Sequence, residues 1–259
     1  MVKYTLLLLL LPFHLMAAMP PGVAPGATFD SRGHVWVLTA NNQQVIWFEN
    51  GVKKAEGPFE HNQKRGVWTH YYESGKIKGT GAYEANLKQG PWKIYHPEGK
   101  VESEGSFKND ARSGKWVYYD KMGNKSAEGE FRAGMKEGPW VSYYGNGQVA
   151  SRGSYRAGEA QGAWEYFFEK GQPFQSGQFD GDVRIGTWTI CVAPQGPCGK
   201  EVYNSASKSG APAVSGLNPA ELTSQEIRNA KGNPARVLES MEGDVPDAVP
   251  SSINQKWND

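Results

Sequence analysis

Short apolar and aromatic runs alternate with polar turns along the middle of the chain. The run Trp68–Tyr72 is rich in residues that favour strands, Glu73–Lys76 has the composition of a turn, and Ile77–Glu84 is a second strand-like run. No window in this region shows the period of about 3.6 residues that marks an amphipathic helix. The pattern therefore predicts one β-hairpin, with two strands and two turns, in each stretch of 24 residues.

The same 24-residue unit recurs along the chain, and each copy begins with a Gly-x-Trp marker. The markers are Gly66 and Trp68, Gly90 and Trp92, Gly114 and Trp116, Gly138 and Trp140, Gly162 and Trp164, and Gly186 and Trp188. Two further aromatic columns keep this spacing, at Tyr71, Tyr95, Tyr119, Tyr143 and Phe167, and at Tyr83, Phe107, Phe131, Tyr155 and Phe179. An incomplete earlier unit retains Trp47, Gly51, Gly57 and Phe59 in the same phase.

Such regular repeats predict an all-β fold, an elongated antiparallel β-meander of tandem hairpins. Side chains alternate between the two faces of a strand, so the marker tryptophans should share one face. We expect tryptophan to stack on tryptophan, with a separate Tyr/Phe ladder beside it. Each hairpin adds about 9 to 10 Å to the sheet, and the two ends of such an array need caps.

Residues 1–18 have the features of a secretory signal peptide. Lys3 gives a charged start, Leu6–Leu11 is an apolar run, and Ala17 or Ala18 precedes the expected cleavage. The alternative is an uncleaved anchor, although the run is shorter than the roughly 20 residues that span a bilayer. We therefore expect an exported protein, located in the periplasm, in the cell envelope or outside the cell.

Composition divides the remaining chain into four parts. Residues 19–27 are rich in Pro and Gly and are predicted to be a linker, and residues 28–48 form a degenerate repeat that caps the array. The repeat domain covers 49–198. Residues 199–259 are expected to be a linker, two short helices starting near Asn218 and Asn233, and a tail, so this segment is short and helical or disordered.

Charge, hydropathy and cysteine content exclude several classes. A net charge of +1 gives no electrostatic basis for nucleic-acid binding, and a mean hydropathy of −0.62 excludes a protein with many membrane spans. Cys191 and Cys198 lie close together in the last turn, and in an oxidising compartment they should form a disulfide. A redox-active pair is the weaker alternative because the spacing is not Cys-x-x-Cys.

No catalytic, cofactor or metal motif emerges from the sequence. The histidines are scattered over different units, and neither a phosphate-binding loop nor a nucleophile elbow is present. We therefore predict a protein that is not an enzyme and needs no cofactor. Aromatic residues that change from unit to unit are the candidate binding surface, since a structural column should vary less. They are Tyr72, Tyr118, Tyr144, Tyr166 and Phe168.

The order Gly-x-Trp, aromatic, turn glycine, Gly-x-Tyr/Phe resembles the membrane occupation and recognition nexus (MORN) repeat. It is most similar to the bacterial variant of that repeat, which occurs in proteins described as toxin–antitoxin-type antitoxins. The resemblance covers the chain from about Trp47 to Ile190. It implies a row of antiparallel hairpins with a binding or scaffolding role, with protein or lipid partners and without catalysis.

The leading functional hypothesis is an exported, non-enzymatic scaffold that binds a protein partner through its β-sheet surface. A second hypothesis is a cell-envelope module that binds glycan or lipid headgroups through aromatic side chains and turn lysines. A third, an antitoxin or immunity protein, depends only on the family resemblance. The sequence does not identify the partner.

Overall fold

The computed structural model describes residues 19–203, and within them the chain forms seventeen β-strands and no helix. The strands are β1 Thr28–Asp30, β2 Val35–Ala40, β3 Gln43–Phe48, β4 Lys53–Glu60, β5 Gln63–Lys64, β6 Gly66–Tyr71, β7 Ile77–Glu84, β8 Leu87–Tyr95, β9 Val101–Lys108, β10 Ala111–Tyr119, β11 Lys125–Arg132, β12 Met135–Tyr143, β13 Val149–Arg156, β14 Glu159–Phe167, β15 Pro173–Asp180, β16 Val183–Cys191 and β17 Cys198–Tyr203. Over this range no helix is long and apolar enough to cross a membrane. The predicted signal peptide and the predicted C-terminal helices and tail lie outside the described residues.

Every strand pairs antiparallel with its neighbour in sequence, and β4 pairs with both β5 and β6. The same order continues from β8 to β17. The predicted all-β meander of tandem hairpins is therefore confirmed. The strands predicted for the N-terminal cap correspond to β2 and β3.

The marker glycine lies in a β-bulge at the start of the first strand of each hairpin. In β12, Trp140 lies opposite Gly129 while Glu137 lies opposite Glu130, so Gly138 and Pro139 are extra residues between them. Gly138 has a φ of 69°, in the left-handed region that glycine enters without a Cβ clash. The equivalent glycines have φ between 62° and 70°, at Gly66, Gly90, Gly114, Gly162 and Gly186.

The second conserved glycine of each unit makes room for the tryptophan of the next unit. A Cβ on Gly129 would lie 2.3 Å from Cδ2 of Trp140, and the Trp140 indole N–H donates to the Glu130 carbonyl at 3.2 Å. The bulge turns this carbonyl toward the ring. Five other pairs repeat the contact, namely Gly57 and Trp68, Gly81 and Trp92, Gly105 and Trp116, Gly153 and Trp164, and Gly177 and Trp188.

The aromatic rings form one continuous zigzag on the face that carries the marker tryptophans, called here the aromatic face. The predicted stacking of tryptophan on tryptophan is wrong, because a Tyr or Phe ring stands edge-on between each pair. Trp140 lies 5.4 Å from Phe131 and 5.8 Å from Tyr155, centroid to centroid. The order is Trp68, Tyr83, Trp92, Phe107, Trp116, Phe131, Trp140, Tyr155, Trp164, Phe179, Trp188 and Tyr203. Edge-to-face contact suits the ring quadrupoles.

The segment from residue 19 to residue 27 packs on the first hairpin, which corrects its interpretation as a linker. Val23 and Ala27 are buried against Trp36 and Trp47 in a small second core. Trp47 follows Ile46, whose side chain packs against the aromatic face, so Trp47 lies on the opposite face of the sheet. With no preceding unit to cover these two indoles, the small apolar residues of the segment cover them instead.

The C-terminal end of the array has a different closure. Trp188 lies opposite Glu201, at the place where every earlier unit has its second glycine. The carboxylate of Glu201 accepts a hydrogen bond from the Tyr203 hydroxyl at 2.6 Å. Cys191 and Cys198 form the predicted disulfide across the last turn. Since Glu201 fills the space that another indole would need, the pattern of recesses stops here.

Candidate functional site

A column of basic side chains crosses the aromatic face at the 24-residue period. Each member lies directly opposite a Phe or Tyr on the neighbouring strand, as Arg112 lies opposite Phe107. The members of this cation column are Lys64, Lys88, Arg112, Lys136 and Arg184. Ala160 occupies the remaining position, opposite Tyr155, and interrupts the column.

Each of these cations lies over two aromatic rings. The Arg112 guanidinium carbon is 4.8 Å from the centre of the Trp116 ring and 5.2 Å from that of Phe131. Lys136 Nζ is 4.7 Å from the Trp140 ring centre. Cation–π attraction stabilises the charged groups, and their aliphatic stems cover the indoles. This is how a single-layer sheet buries its tryptophans: Trp116 is 0% exposed, and Arg112 is 8% exposed.

The cation column creates a positive, poorly solvated field. Burial lowers the pKa of Lys88 to about 8; Asp110 acts in the opposite direction, and Arg112 and Lys64 lower it further. His70 lies on the same face, and burial followed by repulsion from Lys64 and Lys88 lowers its pKa to about 3. Burial also lowers the pKa of Arg112. These mutual repulsions show that the positive charge of this face is incompletely compensated.

Three buried polar groups of one unit have no hydrogen-bond partner among the described residues. They are Nε and Nη2 of Arg112, the Tyr118 hydroxyl and Oγ of Ser103. Tyr118 and Ser103 are directly opposite each other on β10 and β9. Arg112 also lines a cavity of about 780 Å³, together with Phe131 and Arg132. The centre of the cation column therefore offers hydrogen-bond donors that the fold does not use.

The opposite face of the sheet carries balanced charges. The Tyr119 hydroxyl donates to Glu104 at 2.8 Å, and Lys93 lies 3.1 Å from the same carboxylate. Glu128 accepts from Lys115 at 2.7 Å and from Tyr143 at 2.7 Å. The bonds from Lys115, Tyr143 and Lys125 lower the pKa of Glu128 to about 2. On this face the described basic and acidic side chains neutralise one another.

The five aromatic residues predicted as an exposed row occupy two different positions of the unit. Tyr118 and Tyr166 come two residues after a tryptophan and share its face. Tyr118 is 7% exposed, so its prediction as a surface residue is wrong, and Tyr166 packs 5.9 Å from the Trp164 ring. Their side chains point into the aromatic zigzag because the strands of both neighbouring units flank them.

The other three predicted residues come four positions after a tryptophan, near the turns. The Tyr72 hydroxyl donates to the Tyr95 carbonyl and that of Tyr144 to the Phe167 carbonyl, both at 2.6 Å. Phe168 lies 5.0 Å from the Phe174 ring. These half-buried residues connect one unit to the next, and their ring faces remain partly open.

No three His, Cys, Asp or Glu side chains in residues 19–203 come together as a group that could hold a metal ion. Sequence reasoning identified none of the cation column, although its period was visible. Basic residues next to turns resemble ordinary solvated charges until the strand register places them over the rings.

The fold and the periodic face define a tandem β-hairpin repeat protein. The sequence profile of the MORN repeat variant matches three segments, residues 64–85, 88–109 and 136–157. Each segment contains one Gly-x-Trp marker and the second glycine of the same unit. The predicted link to toxin–antitoxin-type antitoxins has no support in these matches, and no curated protein matches the sequence.

Solved structures with some likeness have low TM-scores. The GtfA/B complex bound to UDP and GlcNAc is 10% identical, with a TM-score of 0.21, over 49% of this chain and 24% of that one. A point mutant of S. aureus TarM with fondaparinux, alpha-GlcNAc-glycerol and UDP is 11% identical, with a TM-score of 0.22, over 54% and 21%. Accessory secretory protein 1,2 and 3 of Streptococcus pneumoniae is 12% identical, with a TM-score of 0.19, over 48% and 23%. The chain spans less than a quarter of each.

Proposed function

We propose that this protein is an exported, non-enzymatic repeat scaffold that binds a protein partner through the aromatic face of its sheet. The observation that carries the proposal is the uncompensated cation column, which recurs every 24 residues over a continuous stack of rings. A repeating array gives a long surface, and long surfaces suit macromolecular partners. The opposite face has its charges neutralised and offers fewer unused polar groups.

The separation of constant and variable positions supports a binding role. The indole and the second glycine are constant because they hold neighbouring units together. The position two residues after the indole differs in each unit, as His70, Ile94, Tyr118, Ser142 and Tyr166. Variation on a constant framework is how repeat proteins distinguish partners along their length.

Two features support export. The disulfide between Cys191 and Cys198 is the kind of bond that persists in oxidising compartments. Residues 1–18 have the sequence of a signal peptide. Detection of the mature N-terminus after Ala17 or Ala18, by sequencing of protein from the envelope fraction, tests this part of the proposal.

The partner is tested by capture from an envelope extract, followed by titration calorimetry with the purified partner. Lys136→Gln, on the aromatic face, is compared with Lys115→Gln, on the opposite face, since both remove one positive charge. We expect a stoichiometric complex that Lys136→Gln weakens and Lys115→Gln does not. Retention on purified cell-wall glycan or lipid vesicles without a protein partner contradicts the proposal and favours an envelope-binding module. A partner that is a toxin assigns the scaffold an immunity role.

A further inference from the structure

We propose that the cation column is a docking groove for an acidic segment of the partner protein, in which carboxylates recur at every third residue of a polyproline II chain. The inference rests on the proposed function and specifies the chemistry of the partner. It takes as its central contact the pairing of a carboxylate with Arg112.

The spacing of the column sets the spacing of the ligand's charges. Consecutive members belong to units two strands apart, which places them about 9.5 Å from each other at the usual strand separation. A polyproline II helix rises about 3.1 Å per residue with three residues per turn, so every third side chain returns to one side after about 9.3 Å. A β-strand brings side chains to one side every second residue, after about 6.7 Å, and loses the match within two units.

Arg112 has the geometry to receive one of these carboxylates. Nε and Nη2 form the edge of the guanidinium that binds both oxygens of a carboxylate in parallel, and these two atoms have no partner among the described residues. Stacking of the guanidinium over Trp116 and Phe131 leaves its hydrogen-bonding edge for a ligand. Rotation of the side chain toward the cavity that it lines presents this edge to the groove. The Tyr118 hydroxyl adds a further unused donor.

Charge complementarity argues for an acidic occupant of this face. Lys64, Lys88 and Arg112 repel one another, and Asp110 is the acidic group that offsets the charge of Lys88. A carboxylate placed between neighbouring members relieves this repulsion. The opposite face lacks the same capacity, because its lysines already contact Glu104 and Glu128.

Ala160 provides an internal test because the column lacks a cation there. The groove as built has four consecutive cations, then a gap, then Arg184. Ala160→Lys fills the gap without touching a residue of the existing column. It should therefore strengthen the binding of an acidic chain long enough to reach the sixth position.

The experiment measures fluorescence anisotropy of a labelled peptide of six Asp-Pro-Pro triplets with the full chain, at about 50 mM and about 500 mM salt, which bracket strong and weak screening. The reference peptide has the same composition with its aspartates in one block. We expect Arg112→Gln to weaken binding about tenfold, the cost of one charged hydrogen bond. Lys93→Gln, a matched charge change on the opposite face, should leave the affinity unchanged, and Ala160→Lys should raise it.

Several results would overturn the inference. These are equal binding of the two peptides, equal loss from Arg112→Gln and Lys93→Gln, and tighter binding of inorganic polyphosphate than of the peptide. Replacing Glu239, Glu242, Asp244 and Asp247 by Gln in the full chain should not change the affinity; a gain would identify the chain's own acidic segment as the occupant. If the peptide fails while the captured partner is still released by Lys136→Gln, the inference is wrong and the proposed function stands.

Discussion

The indole of Trp140 lies against the backbone of Gly129, so close that a methyl group on Gly129 would come within 2.3 Å of the ring. The contact joins two consecutive units, and five other pairs repeat it along the array. The indole N–H also donates to the carbonyl of Glu130, next to that glycine. Packing and hydrogen bonding at one position thus specify how each hairpin seats on the one before it.

The two glycines of a unit should respond differently to substitution. Gly129→Ala should destabilise the protein by about 3 kcal/mol, because the indole has no room to move without losing its carbonyl partner. Gly138→Ala should cost about 1 to 2 kcal/mol, the strain of a left-handed alanine, since its Cβ would meet open space. Urea denaturation measures both, and Gly138→Asn, which tolerates this backbone better, should cost less than Gly138→Ala. Equal losses at Gly129 and Gly138 would contradict this account.

The aromatic residues near the sheet surface should separate into core and inter-unit groups. Trp140→Ala should destabilise by roughly 3 to 5 kcal/mol, as expected for a buried indole. Tyr166→Ala should also melt early, because its ring packs on Trp164 and Trp188. Tyr144→Phe removes one hydrogen bond to the Phe167 carbonyl and should cost about 1 kcal/mol. Thermal melting of the three variants tests this order, and a Tyr166→Ala variant as stable as wild type would refute it.

His70 should make the fold sensitive to acid. Its pKa in the folded protein is about 3, whereas the unfolded chain binds the proton near pH 6.5, so stability falls as the pH drops through that interval. His70→Ile copies Ile94, the equivalent residue of the next unit, and should remove this part of the slope. Carboxylates such as Glu128 lose stability at lower pH in both proteins, so the difference between them isolates the histidine. Parallel pH profiles of wild type and variant would rule the effect out.

The disulfide should be detectable and should stabilise the C-terminal end. Non-reduced mass spectrometry of protein from its native compartment should give a Cys191–Cys198 peptide pair about 2 Da lighter than the dithiol, the mass of the two hydrogens lost. Reduction should lower stability by about 2 to 3 kcal/mol, as a short closed loop predicts. A double variant with Cys191→Ser and Cys198→Ser provides the control, since reductant should not affect it. Two alkylatable thiols in the native protein would contradict the assignment.

The sequence predicted the strands, the turns and the shared face of the tryptophans because a fixed period leaves one register for identical units. It did not predict the bulge at Gly138, since a shift of pairing appears only when two strands are aligned. It also placed Tyr118 beside Tyr144 in one surface row. Alternation along a strand tells which face a residue takes, but it does not tell which end of the strand a neighbouring unit covers.

The candidate site was hidden for a related reason. The basic residues at 64, 88, 112, 136 and 184 have the 24-residue period, yet lysine and arginine beside a turn are usually solvated. Their burial depends on rings contributed by two strands. The segment with Val23 and Ala27 was taken for a linker from its Pro and Gly content, because composition does not show that two indoles need cover.

The one-sided seating of the indoles gives the array a direction. Each recess is built by the earlier hairpin and filled by the later one, so during synthesis, which proceeds from the N-terminus, every new hairpin emerges next to a finished template. Removing hairpins from the C-terminal side leaves the remaining ones complete, whereas removing them from the N-terminal side leaves the next indole without a wall. Assembly of this molecule therefore resembles polymer growth from a single end, with Glu201 as its terminator.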